Sequence, residues 1–278
     1  MSADLVPLAG VIGSPVAHSL SPKVHGYWLA EHGLAGHYIP MDVASDNLKA
    51  AFATLPRLGF KGVNVTLPHK ERALSLADRV SDRAAVIGAA NTITFQPDGS
   101  IHADNTDGVG FIENLRAGAP HWSAATGPAV VLGAGGAARG VLASLLDAGA
   151  PEIRLANRTR VRGEALRADF GPKVTVIDWH RIPDALDGAA LLVNTTSLGM
   201  SGHSPLSIAL DGLPKDAIVT DIVYNPLETH LLQMARDGGH VTVDGLGMLL
   251  HQAVPGFARW FGTRPKVTDA LRAAVLAE

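Results

Sequence analysis

A chain of 278 residues is long enough for two domains with separate cores, and its 47% hydrophobic and 18% charged residues are those of an ordinary globular protein. A net charge of -3 gives no basic footprint for nucleic acid, no apolar run is long enough to span a bilayer, and the lack of cysteine excludes disulfides and thiolate metal sites. The 12 histidines show neither H-x-x-x-H nor H-E-x-x-H spacing, so no metal is assigned. Met1-Ser2-Ala3-Asp4 lacks the charged and apolar regions of a signal peptide, and the expectation is a cytoplasmic protein acting on a small soluble molecule.

The first third alternates strand and helix signals. Ala9-Gly10-Val11-Ile12-Gly13 predicts a strand, a loop covers 14–21, and Pro22 suits a first helical turn, where its missing N–H has no intrahelical acceptor to lose. Tyr38 and Ile39 predict a strand over 36–43, a helix follows over 47–55, Gly62-Val63-Asn64-Val65-Thr66 predicts a third strand, and another helix follows Pro68. The runs 91–95 and 100–103 flank Pro97-Asp98-Gly99, whose Asp-Gly pair signals a hairpin, so this half reads as α/β with an antiparallel edge. Thr106 or Asp107 can cap a helix through Leu115, the expected hinge between domains, and a loop over 117–127 leads onward.

Ala129-Val130-Val131-Leu132 has no polar face and reads as a strand covered on both sides. It runs into Gly133-Ala134-Gly135-Gly136-Ala137-Ala138, a G-x-G-x-x-G/A turn. One glycine there serves the tight turn, one serves close approach to a pyrophosphate, and a small third residue serves helix packing. Val141, Leu142, Leu145 and Leu146 recur at helical spacing, and 152–156 reads as the next strand, which completes a βαβ unit. At the end of that strand, where an acidic residue would bind ribose hydroxyls, stands Asn157-Arg158-Thr159-Arg160-Val161-Arg162. A carboxylate would repel a 2′-phosphate, whereas guanidinium groups bind it, so NADP is favoured over NAD. Strands over 174–177, 191–194, 217–223 and 240–243 bring the doubly wound (Rossmann) sheet to six, with a helix over 228–236 before the last. The apolar run 248–253 and the tail 268–277 predict helices that pack back on the first domain, giving domains of 1–106 with 246–278, and 107–245.

Reducing a carbonyl with a nicotinamide requires a proton donor beside the developing alkoxide. A tyrosine with a lysine four residues later is excluded, since Tyr27, Tyr38 and Tyr224 are followed at that distance by Glu31, Asp42 and Glu228. Lys70 opens a helix, where the dipole does not favour its charge, and Asp107 can pair with it.

With these residues the chain resembles the shikimate dehydrogenase family along its whole length. The loop from Gly13 to Pro22 is similar to the family's substrate loop, and the resemblance implies that Ser19 and Ser21 hold a carboxylate. Asn64-Val65-Thr66-Leu67-Pro68-His69-Lys70 is similar to the segment with the catalytic lysine, which implies Thr66 as a further substrate contact. Gly88-Ala89-Ala90-Asn91-Thr92 and Asn105-Thr106-Asp107 resemble the motifs whose asparagine and aspartate bind ring hydroxyls, the aspartate being the lysine's partner. Tyr224 and Gln252 match further substrate positions. The resemblance also implies that Gly133, Ala134, Gly135, Gly136, Ala137, Asn157, Arg158, Thr159 and Arg162 hold NADP, with Asp82, Ile222 and Gly245 as lesser contacts. It implies an α/β substrate domain and a Rossmann NADP domain with a cleft between them, a monomer or homodimer, and reversible reduction of 3-dehydroshikimate to shikimate in aromatic biosynthesis. Two rivals stay open: a quinate or quinate/shikimate dehydrogenase of the same fold, and a catalytically silent NADP-binding module. Gly26 stands where many members have asparagine, and Ala103 opens the segment Ala103-Asp104 where the family has a glycine; Gly26 is read as a mark of close backbone packing.

Overall fold

Strands and helices alternate along the chain because short β-branched runs are punctuated by glycine or proline and followed by longer segments with apolar residues at helical spacing. The computed structural model describes residues 6–277. Two compact units emerge: Met1–Thr106 with Leu249–Glu278, and Asp107–Met248.

The first unit is built on β1 (Leu8–Gly13), β2 (His37–Asp42), β3 (Phe60–Val65), β4 (Arg79–Val80), β5 (Thr92–Phe95) and β6 (Ile101–Asp104), in the order β2-β1-β3-β5-β6-β4. Strand β1 pairs in parallel with β2 and β3, and β5 pairs antiparallel with β3 and β6. The expected antiparallel edge is therefore corrected: β5, the one strand of this sheet that runs against the others, lies inside it. The edge beyond β6 is taken by β4, which pairs Arg79 with His102 and Val80 with Ala103. Both β4 residues are exposed, so no apolar run announces the strand.

Alternation along these strands sends Ile12, Val63 and Ile93 to one face, where they meet Leu48 and Phe52, and Ala9, Val11 and Tyr38 to the other. The second face is closed by two helices, Ser21–Glu31 and Leu246–Phe261. His25 stacks on Tyr38 with ring centroids 3.9 Å apart and planes 4° from parallel, while Trp28, Phe257 and Trp260 surround the pair. Trp260 reaches so far in that its Nε1–H donates to the Ile93 carbonyl at 3.1 Å, and a Cβ on Gly62 would lie 2.0 Å from that nitrogen. Glycine at 62 is thus the condition for seating the indole.

Helix Leu246–Phe261 overruns the expected 248–253 at both ends and passes through Pro255, because Phe257 and Trp260 beyond the proline are core residues whose burial outweighs its missing hydrogen bond. The tail forms helix Asp269–Leu276, whose cap Thr268 accepts the Leu271 N–H. Gly26 is corrected as well: a Cβ there would meet nothing within 4 Å, so it is an open helical surface position rather than a close packing point.

The second unit contains β7 (Ala129–Leu132), β8 (Ile153–Ala156), β9 (Val174–Ile177), β10 (Leu191–Asn194), β11 (Ile218–Asp221) and β12 (Val241–Val243). All pairs are parallel and the order is β12-β11-β10-β7-β8-β9, the doubly wound arrangement with its reversal between β7 and β10. Val131, Val193 and Leu155 face a core with Val141, Leu142 and Leu145; Val130, Leu132, Leu192 and Val219 face a second core with Leu231 and Leu232. Burial on both faces explains why the central strands β7 and β10 read as apolar runs. Among the described residues no helix is long and apolar enough to cross a membrane, and no cluster of side chains could hold a metal ion.

Candidate functional site

In the first unit the loop after β1 is tied to the end of β3. Thr66 N–H donates to Ile12 O at 2.8 Å and Ser14 N–H to Leu67 O at 3.1 Å, while a Cβ on Gly13 would lie 2.4 Å from Thr66 Cγ2. This close approach sets the loop carrying Ser19 and Ser21 beside the segment carrying Thr66 and Lys70. The Ser21 N–H donates to Ser19 Oγ at 3.3 Å, and Ser21 is buried at the start of its helix. Lys70 opens helix Lys70–Ser75 with its side chain half-buried, and its carbonyl accepts the Ala90 N–H at 2.9 Å, next to Asn91. The preceding His69 is buried and contacts Val43 O through Nε2 at 2.7 Å; a carbonyl can only accept, so that nitrogen carries the proton.

Asn91 is set by its neighbours. Its Oδ1 accepts from Thr106 N–H at 2.8 Å and from the Thr92 hydroxyl at 2.9 Å, which fixes the amide orientation, and its Nδ2 donates to Gln252 Oε1 at 3.0 Å. Gln252 Nε2 donates to Leu249 O at 3.1 Å, and the Thr106 hydroxyl to Gln252 O at 2.9 Å. Behind this pair lie residues that the sequence reading did not assign a role. Tyr38 donates to Asn64 Oδ1 at 2.7 Å, and Asn64 Nδ2 donates to Asn91 O at 3.1 Å. The available signal was Asn64 itself, an amide in the middle of an apolar strand. Burial drives the Tyr38 phenol well above its ordinary value, so it stays a donor.

Asp104 ends β6. It is 4% exposed and accepts from Ser81 at 2.7 Å, Arg259 at 2.5 Å and both Nε and Nη2 of Arg83. Burial alone would raise its pKa, but the bonds from Arg83, Ser81 and Arg259 outweigh it and hold the carboxyl well below the usual range. Asp82, expected to touch cofactor, also lies in this unit, exposed on the first turn of helix Asp82–Ile87, where its charge complements the helix dipole.

In the second unit Gly133 ends β7 at a φ of 106°, and Gly135 caps helix Gly136–Asp147 with no side-chain bond. The first bond of that helix is Arg139 N–H to Gly135 O, so the amides of Gly136, Ala137 and Ala138 lack an intrahelical acceptor. A Cβ at Gly135 or Gly136 would meet nothing within 4 Å, leaving room against those amides for a pyrophosphate. The Ala134 amide is used internally, donating to Asn157 Oδ1 at 3.1 Å, and Asn157 Nδ2 donates to Thr159 O at 2.8 Å. Asn157 thus ties the glycine turn to the basic segment. Arg158, Thr159 and Arg162 are exposed. Ile222 and Gly245 meet at the ends of β11 and β12, where a Cβ on Gly245 would lie 2.4 Å from Ile222 O. Tyr224 follows on a turn held by Asp221, which accepts from Val223 N–H, Asn194 and Thr229, and burial raises the Tyr224 phenol. Asp107 is the first residue of helix Asp107–Gly118 and opens this unit, directly after Thr106.

Residues 11–93 match the shikimate dehydrogenase substrate binding domain, 119–200 the shikimate/quinate 5-dehydrogenase domain and 245–276 the shikimate 5′-dehydrogenase C-terminal domain. The shikimate dehydrogenase (NADP(+)) of Dinoroseobacter shibae is 66% identical over 278 residues, covering all of both chains. This chain belongs to the shikimate dehydrogenase family. Among solved members, the Thermus thermophilus shikimate 5-dehydrogenase in complex with NADP(H) and shikimate is 38% identical, with a TM-score of 0.86 over 96% of this chain and 98% of that one. A related quinate dehydrogenase from Corynebacterium glutamicum in complex with NAD is 33% identical, with a TM-score of 0.88 over 97% and 98%.

Proposed function

We propose that this chain catalyses the reversible, NADP-dependent reduction of 3-dehydroshikimate to shikimate, a step of aromatic amino acid (chorismate) biosynthesis carried out in the cytoplasm by a monomer or homodimer. The observation that carries the reading is the full-length identity of 66% to an NADP-dependent shikimate dehydrogenase, in a chain that keeps both Lys70 and Asp107. Ser19 and Ser21 bind the substrate carboxylate, Asn91 and Asp107 bind the ring hydroxyls, and Thr66, Tyr224 and Gln252 are further substrate contacts. Gly133 to Ala137, Asn157, Arg158, Thr159 and Arg162 hold the dinucleotide, with Ile222, Gly245 and Asp82 as lesser contacts. NADPH held by these residues would supply the hydride to the carbonyl carbon. Lys70 holds an ammonium proton at the carbonyl oxygen, stabilises the charge that gathers there and delivers the proton; Asp107 keeps the ammonium aligned.

Arg158 and Arg162 support NADP over NAD, because each guanidinium is a partner for the 2′-phosphate that NAD lacks. The direct test sets shikimate and quinate against NADP and NAD and follows the near-ultraviolet absorbance of the reduced nicotinamide. Turnover highest with shikimate and NADP is expected; turnover highest with quinate and NAD overturns the reading in favour of a quinate dehydrogenase, and none with any pair in favour of a silent binding module.

A further inference from the structure

Three arginines follow β8 within a few residues, and they differ in what they touch. Arg160 is the first residue of helix Arg160–Phe170, and its guanidinium donates to Asp178 Oδ1 at 2.7 Å and to Glu164 Oε1 at 3.0 Å. Arg158 and Arg162 are exposed, and neither side chain has a hydrogen bond or ion pair to the described residues. The place of Asp178 is set by register. Ala156 pairs with Ile177, so the next residues, Asn157 and Asp178, leave the sheet side by side on strands about 4.8 Å apart. Asn157 is the residue that ties this end to the glycine turn. A carboxylate therefore stands beside the segment that must receive an anion, and Arg160 sits on it.

The pair does little for stability, since its two side chains are 53% and 44% exposed and ion pairs so exposed contribute little. Its effect on a neighbouring ligand is different, because a doubly charged phosphate within a Debye length feels each unpaired charge nearby. We infer that Arg160 sets cofactor selectivity indirectly: by pairing with Asp178 it cancels a carboxylate that would repel the 2′-phosphate of NADP, leaving Arg158 and Arg162 to bind that phosphate. The inference rests on the reading that residues 157–162 receive the 2′-phosphate. Arg160 is thus a positioning and compensating residue, and the substitution that exposes its role is one at Asp178.

The test measures dissociation constants of NADP, NAD and adenosine 2′,5′-bisphosphate by titration calorimetry, at low and at high ionic strength, on the full chain. Arg160→Ala weakens NADP and the bisphosphate by about three- to tenfold at low salt, the effect of one uncompensated carboxylate on a dianion about 7 Å away in a hydrated setting, and leaves NAD within about twofold. Adding Asp178→Asn restores NADP affinity although Arg160 is still absent, and high salt shrinks the difference. A double variant as weak as Arg160→Ala overturns the inference, because Arg160 then contacts the phosphate itself. Equal losses for NAD and NADP overturn it in favour of a purely structural role. Arg158→Ala separates this from the underlying reading: a selective NADP loss there with a silent Arg160→Ala sinks the compensation alone, whereas no loss in Arg158→Ala sinks both.

Discussion

His25 makes the stability of the first unit depend on acid in a calculable way. The ring is fully buried, neither nitrogen has a hydrogen-bond partner among the described residues, and one face lies on Tyr38. Burial, opposed only by the side chain of Asn64, lowers its pKa from 6.5 to about 3. The folded form therefore stays neutral while the unfolded chain takes up a proton below pH 6.5. Stability from this group is intact above that value and falls as the pH drops through the window from 6.5 to about 3. Between pH 7 and pH 4 the loss comes to about 3 kcal/mol, most of it at about 1.4 kcal/mol per pH unit. His25→Phe keeps the stack and gives up no hydrogen bond, so at pH 7 the variant is expected within about 1 kcal/mol of the parent. Urea unfolding followed by the fluorescence of Trp28 and Trp260, which flank His25, should show the variant gaining on the parent by about 3 kcal/mol at pH 4. Other titrating groups cancel in that comparison, and stability curves that run parallel from pH 7 to pH 4 would refute the reasoning.

Lys70→Ala should lower turnover by about 10²–10⁴-fold with a much smaller change in shikimate affinity, and Asp107→Ala should resemble it, with the double variant little worse than the worse single one. Stopped-flow turnover and equilibrium binding for the three variants check this; normal turnover in Lys70→Ala contradicts the assignment. Ser19→Ala or Ser21→Ala should raise the Michaelis constant for shikimate and leave NADP binding nearly unchanged, which steady-state kinetics with each ligand varied will show. Gly26→Ala should raise thermal stability by about 0.5–1 kcal/mol, because the position is helical, exposed and sterically open; a lower midpoint in calorimetry would mean that the space is needed.

Legibility in the sequence followed the locality of each cause. Strands β7 and β10 were readable to the residue, since a run covered on both faces needs only apolar side chains between turn residues, and β9 was readable from its β-branched residues although Thr175 is exposed. Strand β4 was not, because two exposed residues become a strand only through pairing with β6. The helix Leu246–Phe261 was cut short at the proline, a local breaker that distant aromatic packing overrides. At the site, motifs named the residues with chemistry to offer, such as Ser19, Lys70, Asn91 and Arg158. The supports stayed hidden: Tyr38 and Asn64 are 26 residues apart, and Asn91 and Gln252 are 161 apart. No window along the chain contains both members of such a pair.

The first unit is discontinuous, and this sets an order on its making. Its sheet is complete by residue 104, yet Trp260, which fills the space over Gly62, Arg259, which answers Asp104, and Gln252, which meets Asn91, all follow the second unit in the sequence. On a ribosome, every residue of the second unit emerges before any of these three. Until those residues are made, the first unit lacks the indole over Gly62 and one of the guanidinium groups on Asp104. A chain released between Met248 and Trp260 keeps every residue of Asp107–Met248 yet leaves the first unit without the indole that lies over Gly62.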